Sequence, residues 1–384
     1  MMASIEVSAS PDSAQWQSIN WKVVKQHVLK LQMRIAKATR EGKHGKAKAL
    51  QWILTHSKSA KLLAVKRVSQ NKGSKTPGID GIIWNSDARC IGAVNQLSRK
   101  GYHAKPLRRI YIPKKNGKLR PLGIPCMIDR AQQALHLLAL EPISETVADL
   151  NSYGFRPNRS AADAIAQCFK CLCMKRSSQW VLEGDIKACF DKIGHQWLID
   201  NIQLDKRMLK QWLGCGYIDK GLFYKTAEGT PQGGIISPTL MLLTLAGLEQ
   251  LVKSIACKTG NRVYFIGYAD DFVITGSSKE VLVNEIKPQL TGFLQERGLT
   301  LSDEKTHVTH NDDGFDFLGF NLRKYKGKLL IKPSKSNVLS FLSNLREFIR
   351  KHPTIPVNDL IKILNPKLRG WANYYRHSVA KQVF

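Results

Sequence analysis

Residues Phe265–Gly276 read FIGYADDFVITG, an apolar run interrupted at its middle by two adjacent carboxylates, Asp270 and Asp271. Tyr264, Phe265, Ile266 and Tyr268 precede the pair, and Phe272, Val273 and Ile274 follow it. Acids at the centre of a strand-like stretch are costly unless something offsets their charge. A second stretch, Gln179–Asp191 (QWVLEGDIKACFD), has the same character: Asp185 follows an apolar strand start. If the two strands lie side by side in one sheet, three carboxylates meet at their ends. Such acids repel one another and stay ionised only beside cations. Hard divalent ions with oxygen ligands supply that charge, and two of them ~3.5–4 Å apart hold the attacking and leaving oxygens of a phosphoryl displacement. The bland alternative for a single Asp is a strand-end turn residue. Asp312 and Asp313, in the polar and glycine-flanked Asn311–Gly314, read as such a turn.

Bulk properties agree with an anionic substrate. The 384 residues carry 59 Lys plus Arg against 30 Asp plus Glu, a net charge of +29, which points to a polyanionic partner and above all to nucleic acid. With 43% hydrophobic residues the chain can bury a sizeable core. Its eight cysteines are scattered through apolar contexts, which excludes a small secreted disulfide scaffold and implies a reducing compartment. Cys168, Cys171 and Cys173 fall at helical spacing among Ile165, Phe169 and Leu172, so core packing is preferred to a metal site. His307 and His310 are weak as ligands and are expected to face solvent. The polar opening, MMASIEVSASPDSAQW, is no signal peptide. The longest apolar run, Leu240–Leu248, is too short to span a bilayer. The expectation is a soluble, intracellular protein with no membrane partner.

Along the chain, residues 1–20 read as disordered, and 21–75 as an extension of two basic helices with Val24, Val28, Leu31 and Ile35 on one face. The Gly-Ser-Lys-Thr within Asn71–Gly81 lacks the spacing of a phosphate-binding loop. Asn116–Gly117 marks a hairpin between two strand-like runs studded with Arg108, Arg109, Lys114, Lys115, Lys118 and Arg120. A helix is predicted over 129–150, a short buried strand over 179–191, and an apolar helix from Thr239 after the Gly/Pro-rich Glu228–Pro238. A helix over 279–297, a polar strand at 299–308, a hairpin in Phe315–Pro333 and basic helices from Ser334 complete the reading. This alternation gives an α+β fold: a palm of antiparallel sheet plus helices, with helical flanks.

The motifs YADD, IKACFD, TPQGGIISP, LSDEKT and FLGF together resemble those of reverse transcriptases. TPGIDG, YIPKKNGKLRPLGIP and SYGFRPNRSAADAI narrow the resemblance to the group II intron-encoded, maturase-type enzymes, over roughly Lys22 to the C-terminus. It implies a right-hand polymerase: fingers over 76–180, palm with part of the fingers over 181–333, and the start of a helical thumb or maturase region over 334–384. It implies an RNA-directed DNA polymerase that uses dNTPs, a DNA or RNA primer and an RNA template, expected to be intron RNA, with two Mg²⁺ (Mn²⁺ as substitute). Position by position, Asp185, Asp270 and Asp271 match the metal-binding acids. Lys114 and Arg120 match the residues that hold the incoming triphosphate, a role that suits arginine's paired donors. Phe190 matches the aromatic gate against a ribose 2′-hydroxyl. Gln232 matches the residue beside sugar and base, with Gly233 and Gly234 allowing close backbone approach. Lys305 matches a basic residue serving the leaving pyrophosphate, Phe317–Phe320 the primer grip, and Tyr268 the residue under the primer end.

Two other functions stay open on the sequence: an RNA-binding splicing cofactor with secondary polymerase activity, and a domesticated or phage-defence reverse transcriptase. Members of the family usually continue past LRGWANYYRHSVAKQVF, so the thumb is expected to be incomplete at Phe384, and splicing and mobility are less secure than the polymerase chemistry. A bacterial-type cytoplasmic ribonucleoprotein is the expected setting.

Overall fold

The computed structural model describes residues 15–113, 117, 119–259 and 262–383. Lys114, Lys115, Asn116 and Lys118 of the basic hairpin, and most of the leader expected to be disordered, lie outside them. In chain order the strands are β1 (Leu107–Pro113), β2 (Leu119–Ile124), β3 (Trp180–Asp185), β4 (Tyr217–Asp219), β5 (Leu222–Tyr224), β6 (Tyr264–Tyr268), β7 (Asp271–Gly276), β8 (His307–His310), β9 (Phe315–Phe317), β10 (Phe320–Tyr325) and β11 (Lys328–Pro333). Two compact units share the chain by turns: residues up to Ala148, Ala188–Ala246 and Arg297–Leu299 form the first, and Asp149–Lys187, Gly247–Glu296 and Thr300–Phe384 the second.

In the first unit, the helices Trp21–Arg40, His44–His56 and Lys58–Gln70 pack against Met127–Val147 around Val28, Leu31, Ile35, Leu54, Val65 and Leu135. Three helices stand where two are predicted. The extra break is at Ser57, whose backbone is extended and whose hydroxyl accepts from the Ala60 amide, making a new helix start. A four-stranded sheet, in the order β2-β1-β4-β5, carries the basic hairpin.

In the second unit, β3 is central in a sheet of order β6-β7-β3-β8, all neighbours antiparallel. The helix Ala161–Leu172 buries Ile165, Cys168 and Leu172 against it, with Val181, Ile266 and Val273, so these cysteines are core residues. Two other sequence expectations change here. The helix expected over 279–297 opens as a wide π turn, Val281–Ile286, before Lys287–Gln295. Pro288 has no N–H to continue the regular ladder at that point. The strand expected at 299–308 is a strand only from His307; Asp303–Lys305 form a turn. His307 is exposed as expected, whereas half-buried His310 sets its ring edge-on to Trp180.

Past β9-β10-β11, the helices Lys335–Lys351 and Val357–Tyr375 follow. One apolar stretch, Ser237–Cys257, has the length and hydropathy to cross a membrane, unlike the shorter run read in the sequence. It breaks into Ser237–Leu245 and Leu248–Thr259, Gly247 taking φ +100°, and is mostly buried as core.

Candidate active site

The second unit brings the acids together. Asp185 ends β3 directly opposite Asp271, the first residue of β7, and Asp270 lies in the two-residue turn from β6. The last carbonyl of β3 accepts from the Ser302 amide (2.8 Å), and the Lys187 amide donates to Thr300 O (2.9 Å). These bonds seat the turn that follows, and Lys305 Nζ comes to 3.0 Å from Asp185 Oδ2. Burial pushes the Asp271 carboxyl up, and the charges of Asp270 and Asp185 push it further. Asp185 in turn holds the Lys305 ammonium above the usual lysine range. Carboxylates drawn together in this way are the electrostatic condition that attracts a hard cation. Among the described residues no three His, Cys, Asp or Glu are drawn in to enclose an ion outright, Asp185 being turned to Lys305.

The turn itself is held from below. Ala269 takes φ +59°, a left-handed conformation that costs a non-glycine residue. Asn151–Gly154 runs along the edge of β6: Tyr153 N donates to Gly267 O, and Gly267 N to Asn151 O. A Cβ on Gly154 would sit 2.2 Å from the Ala269 amide nitrogen, so only glycine fits under the acidic turn. The edge segment is pinned by Glu249, which accepts from the Asn151 amide and side chain, and by Asp149, which accepts from the Gly247 and Glu249 amides. Phe317–Phe320 make a tight reversal with Leu318 and Gly319 at positive φ. Tyr374 and Tyr375 donate to the Leu318 and Gly319 carbonyls, so the last helix clasps this reversal.

The remaining sequence candidates belong to the first unit. Arg120 is exposed on β2 opposite Ile112, and Lys114 is outside the described residues. Half-buried Phe190 is in the short helix Cys189–Lys192, its carbonyl accepting from the Thr230 amide at 2.6 Å. Gln232 is fixed at both ends: its side chain donates to Asp191 Oδ2 (3.1 Å), and its carbonyl accepts from Gly123 N (2.8 Å). Gly233, at φ +117°, follows. Sequence reasoning passed over Gly154, Ser302 and Asp191. Each acts on a segment remote in the chain, so only the quoted SYGF, LSDEKT and CFD motifs mark them.

Comparison with known proteins finds reverse transcriptases. The profile described as "Reverse transcriptase (RNA-dependent DNA polymerase)" matches residues 112–322, the N-terminal domain of reverse transcriptase matches 16–97, and "Group II intron, maturase-specific domain" matches 338–384. Protein YkfC of Escherichia coli is 34% identical over 299 residues, 67% of this chain and 78% of that protein. The group II intron-encoded protein LtrA of Lactococcus lactis is 29% identical, covering 82% of this chain and 68% of LtrA. Among solved structures, a Candida albicans telomerase aligns at TM-score 0.45 and 12% identity over 72% of this chain and 54% of its own, a likeness too loose to carry an argument.

Proposed function

Because the chain belongs to the group II intron-encoded reverse transcriptases, and is thereby an RNA-directed DNA polymerase, we propose that Asp185, Asp270 and Asp271 carry nucleotidyl transfer from a dNTP to a primer 3′-hydroxyl. The observation that supports this most is the register of Asp185 against Asp271, with Lys305 on the cluster. Divalent-metal dependence is general to the family, and we assign two Mg²⁺, with Mn²⁺ as substitute, to these carboxylates. When bound, the ions acidify the primer hydroxyl and neutralise the triphosphate. The residues suit them: three hard oxygen donors, of which Asp271 is pushed up by burial and by the charges of Asp270 and Asp185.

The chain's own groups do the rest. Lys305, kept charged by Asp185, is placed to give a proton to the departing pyrophosphate. Arg120 and Lys114 hold the triphosphate, arginine through paired N–H donors. Phe190 excludes a ribose 2′-hydroxyl, and Gln232, oriented by Asp191, meets the sugar and base while Gly233 admits the backbone close by. Asp271→Asn should abolish primer extension on an RNA template while RNA retention on a filter stays within a few fold. Undiminished synthesis by that variant rejects the assignment.

A second role, RNA binding in support of splicing, is favoured by the charge of +29 and the maturase-domain match at 338–384. Splicing of a group II intron RNA in the presence of the Asp271→Asn protein separates the two: assistance without synthesis means the binding role stands alone.

A further inference from the structure

The first unit contains a cavity of ≈ 900 Å³ that the polymerase residues do not enter, between His44–His56, Met127–Val147 and residues 200–207. Its volume falls in the range of small-ligand sites, ~300–1,000 Å³. Leu97, Leu135, Ala139 and Leu204 give it an apolar wall. Trp52 lines it with half its surface exposed, one ring face covered by His56 at 3.7 Å and the Arg99 guanidinium 5.7 Å from its centroid. Arg99 is itself held by Asp205 at 2.5 Å.

His136, 5% exposed, also lines the cavity. Its Nδ1 lies 2.9 Å from the Gln132 carbonyl, which can only accept, so Nδ1 carries the proton. Nε2 is then an acceptor, and it has no partner among the described residues. Burial holds this imidazole down to about 4, so it stays neutral. Exposed Lys48 and Arg207 complete a basic lining, with Asp200 and Asp205 as the acids, while the Lys206 ammonium donates to the Ile199 and Ile202 carbonyls.

An aromatic face, a buried acceptor and flanking cations form a chemically specific set. We propose that this cavity binds one nucleotide, its base against Trp52 and donating an N–H to His136 Nε2, its phosphate at Lys48 and Arg207. Sequence-tolerant stacking of bases on exposed aromatics is how single strands are held without readout, and phosphates seek clustered cations. The same chemistry is offered by a free nucleotide or by one unpaired nucleotide of an RNA strand. The site is independent of the polymerase assignment.

The test is calorimetric titration of the full chain, in EDTA and without primer–template, with ADP, hexaadenylate and an abasic hexamer of equal charge. ADP or hexaadenylate should bind, and Trp52→Ala should weaken that ligand about tenfold while leaving the abasic hexamer unchanged. Lys48→Glu should weaken it too, and Arg120→Ala should leave ADP unaffected. ADP binding identifies a free nucleotide as sufficient; binding by hexaadenylate alone identifies a base turned out from a strand. Absence of binding, affinities indifferent to Trp52→Ala and Lys48→Glu, or loss of ADP binding in Arg120→Ala would each overturn the proposal, the last by returning the nucleotide to the triphosphate site.

Discussion

Lys305 bonds to Asp185 and is electrostatically linked to Asp270 and Asp271. If it acts as the acid for pyrophosphate, Lys305→Ala should lower kcat for single-nucleotide incorporation by roughly a hundredfold, with Lys305→Arg recovering part of it. Equal rates in all three proteins would leave Lys305 as a charge partner of Asp185 alone. His136 gives a second single-residue prediction, now of stability. Its folded value of about 4 lies below the ordinary 6.5, so the unfolded chain takes up the proton first. The stability it contributes is whole above 6.5 and is lost as pH falls toward about 4. Relative to His136→Phe, which keeps a ring against Trp212, the unaltered protein should lose on the order of 2 kcal/mol between pH 6.5 and 5 in denaturant titrations. Parallel pH curves would show that the imidazole is not held neutral. The sequence announces acids among apolar residues because their charge is out of place. It does not announce a histidine inside an apolar helix, whose tautomer depends on the Gln132 carbonyl.

The acidic turn is an element-scale construction: two strands, a strained Ala269, and an edge segment that fits beneath only because residue 154 has no side chain. A methyl group there must displace the turn, since the atom it meets is backbone. Gly154→Ala should cost about 1–3 kcal/mol and reduce incorporation far more than RNA binding, measured on the same preparation by melting and primer extension. Wild-type rates in a normally stable Gly154→Ala protein would mean the edge segment does not set the turn. The strands around the acids were legible, since FIGYADDFVITG and WVLEGD show apolar runs with turn chemistry at one end. The support under them was not. Gly154 reads as one glycine among 28, and its reason is an amide 115 residues further on. Lys305 was matched to a basic residue of the resembled family but placed on a strand. That stretch reads as a polar strand, whereas the Ser302 amide bonds back to Asp185 and the chain turns.

Across the whole chain, alternating helical and strand periods were enough to give an α+β class, yet periodicity names elements and not their partners. β3 pairs with β7 some ninety residues later and with β8 later still, and the chain leaves the second unit at Lys187 to return at Gly247. Charge is the property that needs no topology. A surplus of +29 acts on any polyanion, and each phosphate neutralised releases counterions, so log K falls linearly with log salt. If binding engages about 6–10 phosphates, affinity for RNA should drop by roughly 10³–10⁵ between 50 and 200 mM salt. Asp271→Asn should share the slope, because carboxylates repel phosphate rather than hold it without metal. Lys48→Glu should shallow it by about one phosphate if a strand nucleotide occupies the side cavity. A slope near zero in filter-binding titrations would mean the positive surface is not what holds RNA, and recognition would then rest on shape and stacking contacts instead.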